Sequence, residues 1–458
     1  RKMYTKYCKE HDLKLVSDKK IYDKLSTQEG ITQKKVGKFK KQERVWEGIK
    51  FKENKNGTNI TNEELAKEDE LENDSLRVLM ISSDKNIFKD GSAVRERMAE
   101  YGKLFHQLHI IVFTKIFQKF KAGKISDNVW VYPTRSWSRW LYPFDAVMVA
   151  KSEFGKFLPK IINIISTQDP FETAIAGSWL AKKFKIPLQI QAHTDFLNHY
   201  FLKESLLNKI RIIIAKYSIK KADRIRVVSD RIKKSLILNF GDGFESKIDI
   251  LPIFADTEKL INTPAIFDVR KKYPQFSFII LTASRLEKEK NIILAIETMK
   301  EVVRNYPKAG MLIVGDGREK NKLKRLVLNY GLENNIIFEG WQTDLISYYK
   351  TSNIFLSTSI YEGYGLTIIE ALSCGCPVIS SDVGIAREII LEGENGFICP
   401  VGDKDCFMGK ILDVINKPSL KINLSINSKA MISEKFIESK ESYLSKYKQI
   451  MEKCLRKS

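Results

Sequence analysis

The sequence predicts an α/β protein built on doubly wound parallel sheets. Two observations carry that expectation. Short apolar runs alternate with amphipathic helical patterns along most of the chain, as parallel strands joined by helical crossovers require. One stretch, Asn353 to Gly384, also reads as a complete strand–loop–helix–strand unit. Within it Ile354-Phe355-Leu356 has the length and composition of a buried strand. A glycine-punctuated loop follows, Tyr361 to Gly365, and then a helical pattern from Leu366 to Ser373. Gly375 and Pro377 end the helix, and Pro377-Val378-Ile379-Ser380 opens the next parallel strand.

The loop in this unit lies at the carboxyl end of its strand, the edge where open α/β sheets bind ligands. It also leads into a helix N-terminus, whose unpaired N–H groups and dipole favour an anion. Gly363 and Gly365 let backbone approach that anion, and Glu362 and Glu370 flank the loop. Phosphate on the backbone and sugar hydroxyls on the carboxylates is the natural division of labour. A tight turn between two solvated glutamates satisfies the same residues, and this stretch alone does not separate the two.

The segment resembles the signature of the retaining nucleotide-sugar glycosyltransferases of family four, which have the two-domain GT-B fold. The family's Glu-x7-Glu pattern falls on Glu362 and Glu370, with Gly363, Tyr364, Gly365 and Leu366 in the phosphate loop. The resemblance runs from about Leu76 to the C-terminus. It implies two Rossmann-like domains facing a cleft: an acceptor domain over residues 76–256 and a donor domain over 257–432. A basic amphipathic helix at 433–457 is expected to cross back onto the first domain.

Composition is that of a globular protein, with 43% hydrophobic and 29% charged residues among 458. The net charge of +21 points to nucleic acid, anionic membrane or phosphorylated substrates without choosing among them. Six cysteines form no CxxC pair, so nothing in their spacing asks for an oxidising compartment. No apolar run approaches the length of a membrane span, and no secretory leader is evident. The expectation is a cytoplasmic protein, peripheral at the inner face of the membrane.

Residues 1–52 lie outside the family pattern and carry sixteen Lys/Arg against seven Asp/Glu. Arg1 to Leu13 and Ser17 to Leu25 read as short helices, and Val36 to Phe51 as a twisted basic hairpin. This segment resembles the C-terminal winged helix of phage and plasmid primases, which implies nucleic-acid contact. An extension that merely adds charge is the alternative. Residues 53–75 are an acidic linker with too little apolar surface to offset ordering its backbone.

In the first domain Leu76 to Ile81 is the opening strand, followed by Gly91-Ser92, a helix through Leu104, and a strand at Leu108 to Phe113. In the family a glycine-rich loop here faces the cleft, which implies that Gly91 meets the donor. Arg135 to Phe144 interleaves arginines with Trp137, Trp140, Tyr142 and Phe144, a mixture suited to a membrane interface or to core packing. Ile161 to Ser166 and Pro187 to Ala192 are further strands, the latter ending at His193. His193 falls where the family places a cleft histidine near the reacting sugar. Amphipathic helices at Ile210 to Ala222 and Asp230 to Phe240 flank a strand at Arg224 to Ser229.

In the second domain strands at Phe278, Met311, Ile336, Ile354 and Val378 alternate with helices. The first ends in Arg285, with Lys290 five residues on, and the second in Gly315-Asp316-Gly317. Arginine offers phosphate a planar fork and lysine a point charge. With the helix N-terminus at Gly365 these cations can stabilise a departing diphosphate as a divalent metal does elsewhere. Asp403-Lys404-Asp405, the only Asp-x-Asp, reads as a helix start, so neither a metal nor another cofactor is expected. The resemblance implies that Glu370 holds ribose, Gly315 and Gly317 admit the base, and Glu362 contacts the transferred sugar. The implied activity is transfer of a sugar from a nucleotide sugar to a glycan or lipid-linked hydroxyl. A nucleotide-sugar epimerase on the same fold is the enzyme alternative, and nucleic-acid binding through residues 1–52 the non-enzyme one.

Overall fold

The structure, a computed structural model, describes residues 31–33, 49–51, 75–155 and 158–455. The chain divides into two compact units, Arg1–Asp74 and Ser75–Ser458.

In the first unit β1 (Ile31–Gln33) pairs antiparallel with β2 (Ile49–Phe51), Ile31 opposite Phe51. The expected hairpin therefore finds its partner strand upstream of Val36, outside the span assigned to it. The two short helices expected before it, and the acidic linker after Phe51, lie outside the described residues.

The second unit holds two parallel sheets. The first contains β3 (Arg77–Ser82), β4 (Gln107–Val112), β5 (Gly123–Ser126), β6 (Val129–Pro133), β7 (Ile164–Thr167), β8 (Leu188–Ala192), β9 (Arg224–Val227) and β10 (Ile248–Ile250). Their order is β10-β9-β8-β7-β3-β4-β6-β5, all parallel except the edge hairpin of β5 with β6. The second sheet contains β11 (Phe278–Ala283), β12 (Ala309–Val314), β13 (Ile336–Gly340), β14 (Ile354–Ser357), β15 (Val378–Ser381) and β16 (Gly396–Cys399). Its order is β13-β12-β11-β14-β15-β16, parallel throughout. Each sheet winds outward in both directions from its first strand. The crevices for ligands therefore open outside the carboxyl ends of β3 and β7 in one sheet, and of β11 and β14 in the other.

The helices used below are α1 (Ala93–Gly102), α2 (Tyr142–Phe154), α3 (Glu172–Phe184), α4 (Leu206–Ile219), α5 (Asp230–Phe240), α6 (Leu366–Ser373), α7 (Lys404–Asn416), α8 (Pro418–Lys435) and α9 (Lys440–Leu455). Strand interiors are fully buried on both faces, as crossover helices on both sides demand.

Three expectations change. A short helix, Leu158–Ile161, precedes β7, so that strand begins at Ile164. Strands β5, β6, β10 and β16 were not anticipated; β5, β10 and β16 are edge strands of three or four residues, and β6 lies just inside the edge, between β4 and β5. The single C-terminal helix expected from Ser433 is two helices, α8 and α9, with a break at residues 436–439. Across that break Thr257 Oγ1 donates to the Phe436 carbonyl at 2.9 Å, tying the interdomain connection to the return of the chain. From there α9 crosses onto the first domain, where Tyr447 stacks on Tyr101 with ring centroids 4.4 Å apart.

The cysteine expectation is corrected as well. Cys399, the last residue of β16, is disulfide-bonded to Cys406 in the first turn of α7. Asp403 caps α7 by accepting from Cys406 N at 3.0 Å, and that turn brings the two Cα atoms to 5.8 Å, within bridging range. A pairing across a strand, a turn and a helix has no local spacing signature. Cys374 and Cys376 are free and buried at the end of α6.

Candidate active site

At the second sheet's carboxyl edge, the loop after β14 is stitched to the turn carrying Lys290. Thr358 Oγ1 donates to the carbonyls of Lys290 and Asn291 at 3.1 and 3.0 Å, and Ile360 N to that of Glu289 at 2.8 Å. This seam brings Lys290 Nζ onto Glu362 Oε1 as an ion pair, each side chain only 16% exposed. Ser359 Oγ donates to the same carboxylate oxygen at 2.8 Å. Arg285 shares the edge but not the enclosure: it is 68% exposed and pairs with Glu289 at 3.1 Å.

The loop then turns into α6 at Gly365, where φ is 103°, a conformation that favours glycine. No side chain caps α6, which leaves its first-turn N–H groups without an intrahelical partner. Tyr364 is buried, and its carbonyl accepts from Ile385 N at 2.9 Å; burial raises its hydroxyl's pKa. Leu366 packs half-buried against the core. Farther along α6, Glu370 accepts from the Tyr349 hydroxyl at 2.9 Å, and burial pushes its carboxyl upward. Gly315 and Gly317 sit where any Cβ would collide with the backbone of Ser284 and of Leu286 respectively. They allow the loops after β11 and β12 to lie against each other. Gly91 stands apart, in an exposed turn with φ 69° and open space around it. The residue after it, Ser92, caps α1 by accepting from Arg95 N.

His193 follows β8 at the first sheet's carboxyl edge. Its carbonyl oxygen lies so close to Gly363 that a Cβ at 363 would collide with it. The two ligand-binding edges thus meet at one point. Two further bonds hold them together: Ser229 Oγ donates to the Gly363 carbonyl at 3.3 Å, and Arg231 Nε to that of Gly384 at 3.0 Å. Tyr361, in the loop before Gly363, also donates to Glu204 across the cleft.

Beneath His193 lies a buried polar network that sequence reasoning missed. The Arg226 guanidinium donates to Gln191 Oε1 at 2.8 Å, to the Tyr443 hydroxyl at 2.9 Å, and to the carbonyls of Leu251 and Pro252. Arginine only donates, so the Gln191 atom facing it is the amide oxygen. Gln191 Nε2 then donates to Ser166 Oγ at 3.0 Å and to the Tyr447 hydroxyl at 3.2 Å. His193 Nε2 lies 3.1 Å from the same Gln191 oxygen, which can only accept, so Nε2 carries the proton and Nδ1 the lone pair. Burial, with Arg226 and Arg97 nearby, pushes the imidazole pKa down to about 3. The histidine is neutral and of fixed tautomer. The one signal in the sequence was the charge of Arg226 in the centre of a strand, where an unpaired arginine is costly.

A cavity of about 490 Å³ opens beside His193 in the first domain. Ser82 and Gln168 line it along the edge of β3 and β7, Arg97 lines it from α1, and Phe254, Tyr443 and Leu444 close it from the connection and α9. Gly91 does not line it. Among the described residues no three His, Cys, Asp or Glu side chains gather as a metal-holding group.

Two parallel-sheet domains meeting edge to edge, a glycine loop feeding an uncapped helix and a histidine opposite define a class. The chain is a glycosyltransferase with the GT-B fold. Residues 93–259 match the family Glycosyltransferase Family 4, and residues 267–431 match Glycosyl transferases group 1. The chain is similar to an uncharacterized glycosyltransferase of Methanocaldococcus jannaschii, 29% identical over 350 residues, which span 72% of this chain and 83% of that one. It is similar also to the alpha-monoglucosyldiacylglycerol synthase of Acholeplasma laidlawii, 23% identical over 362 residues, 74% of this chain and 88% of that one. Among solved structures, HepE of Anabaena in complex with UDP shares the fold, with a TM-score of 0.63 at 19% identity, covering 82% of this chain and 99% of that one.

Proposed function

We propose that this chain is a retaining hexosyltransferase of glycolipid or polysaccharide synthesis. It moves a sugar from a nucleoside diphosphate to a lipid-linked or glycan hydroxyl at the inner face of an anionic membrane. The observation that carries this reading is the junction of the Lys290–Glu362 pair, the uncapped start of α6 and the His193–Gly363 contact. It puts cationic, anionic and neutral groups around one point at the ligand edges of both sheets.

The donor diphosphate lies against the first-turn N–H groups of α6, and Lys290 supplies a point charge to its oxygens. Arg285, farther out in solvent, adds a second cation at the rim. Glu362, oriented by Ser359, accepts from a hydroxyl of the transferred sugar, and Glu370 from the ribose. As the glycosidic bond breaks, negative charge grows on the leaving phosphate, where the preorganised donors act most strongly. The acceptor hydroxyl attacks from the same face and passes its proton to that phosphate, which preserves the anomeric configuration. His193 remains neutral and accepts a sugar hydroxyl at Nδ1. In this reading the cations do the work of a metal, so turnover is expected to survive EDTA. The UDP in the HepE complex makes uracil the first base to test.

The relatives are transferases, which favours transfer to an acceptor over the epimerase reading. Thermal shifts with UDP, GDP and ADP identify the base, since a ligand at 100 times its Kd adds about 2.7 kcal/mol. Proton NMR of the product reads the anomer. An inverted anomer, or turnover abolished by EDTA and restored by manganese, overturns the mechanism.

A further inference from the structure

The aromatics of residues 135–144 suit core packing or an interface, and the structure divides them: Tyr142 is half-buried against the core and stacks on Phe113, whereas the other three face outward. Trp137 is 79% exposed, Trp140 64% and Phe144 57%. They do not stand alone. On α4 the side chains of Leu206, Ile210, Ile213 and Tyr217 are exposed, Ile213 by 70%. At about 100° per residue these four fall within about 60° of one another. The face that α4 buries, through Asn208, Ile212, Ala215 and Ile219, lies on the opposite side. The helix therefore has two apolar faces, one used by the core and one pointing outward.

Charge says what the outer face meets. Residues 206–221 contain five Lys/Arg and no Asp or Glu. Arg211 is engaged inward with Glu172 at 3.1 Å. Lys209, Lys216 and Lys220 are exposed along one flank of the stripe, and Lys221 along the other. The same Glu172 lies 3.9 Å from Arg139, which joins the tryptophan segment, α3 and α4 into one layer. Trp179 on α3 is exposed between them. A second copy of this chain would bring an identical acid-free helix against these lysines, and like charges repel. An anionic lipid surface satisfies both halves, with apolar side chains at the acyl boundary and lysines at the headgroups.

We infer that the outer face of α4, with the Trp137–Phe144 segment, docks the enzyme onto an anionic bilayer. This deepens the membrane part of the function proposed above and rests on it. It commits the first, acceptor-binding domain to the side that faces the lipid.

The test uses the full chain and vesicles of phosphatidylcholine with or without phosphatidylglycerol, read by co-sedimentation. Wild type is expected to bind only the anionic vesicles and to release as salt rises. Lys209→Glu with Lys216→Glu should weaken binding at least tenfold, given roughly fivefold for each lysine near such a surface. Ile213→Ser with Tyr217→Ser should weaken it on the same vesicles, with circular dichroism unchanged because both positions are exposed. Three results overturn the inference: wild type that does not sediment with anionic vesicles, variants that bind as wild type does, and serine variants whose only change is a dimer dissociating in light scattering. The UDP thermal shift, measured on the same proteins, reports on the transferase reading separately.

Discussion

Replacing Gln191 by Glu tests the network that holds His193. The wild-type amide oxygen lies 2.8 Å from an Arg226 nitrogen and 3.1 Å from His193 Nε2. A carboxylate at the same place puts a negative charge against the imidazole. At an effective dielectric near 20 and that separation, Coulomb attraction favours the imidazolium by about 5 kcal/mol. Arg226 is closer and takes most of the new charge, and burial still opposes ionisation. The net rise should therefore sit in the range of about 1–3 pKa units usual for a neighbouring opposite charge. From its value near 3, the histidine then titrates between about 4 and 6. Imidazole 15N shifts followed against pH measure this directly, with His193→Asn identifying the signal. Turnover above pH 6.5 should change little, because His193 is neutral there in both proteins, while the acid limb of the rate moves upward. A histidine that titrates as in wild type means that the Gln191 contact is not made in solution, and the tautomer argument fails with it.

Lys290→Ala should lower turnover more than Arg285→Ala, because Lys290 is enclosed and Arg285 is 68% exposed. Initial rates at saturating donor read the difference: loss of one preorganised donor costs about 2.7–4 kcal/mol in the barrier, whereas an exposed pair contributes roughly 0–1 kcal/mol. Equal, near-wild-type rates in two folded variants would falsify the phosphate clamp. Glu370→Gln should weaken nucleotide binding by about ten- to a hundredfold, from about 1.5–3 kcal/mol for a charge-assisted hydrogen bond, and calorimetric titration checks it. Because the folded-state pKa of His193 lies below its unfolded value near 6.5, the unfolded chain takes up the proton first and stability falls as pH drops from about 6.5 toward 3. His193→Asn lacks this contribution, so the stability gap between wild type and variant should shift against wild type across that window. Urea melts at pH 7 and pH 4.5 measure it, and a constant gap contradicts a depressed pKa.

The alternation of apolar runs with helical patterns was sufficient for two parallel sheets, because strands buried on both faces leave a continuous apolar signature. The Glu362–Glu370 loop was legible for a related reason: glycines before a helix at a strand's end mark where backbone meets a ligand. Strand β6 and the edge strands β5, β10 and β16 were not legible. An edge strand is short and bonded on one side only, so its residues are chosen as much by solvent as by the sheet. The Cys399–Cys406 bond and the Gln191–Arg226 support of His193 were also beyond the sequence. Each joins groups whose distance depends on a turn or on the packing of β8, β9 and α9. Sequence determined which charged residues and glycines stand at the carboxyl edges of the strands. Tertiary structure decided which are enclosed: Lys290 bonds to Glu362 because the loop after β14 is stitched to its turn, Arg285 remains in solvent, and Gly91 lies outside the cavity. The same holds for the tryptophans near residue 140, whose composition fitted core and interface alike. Only the packing of the layer beneath them turned them outward.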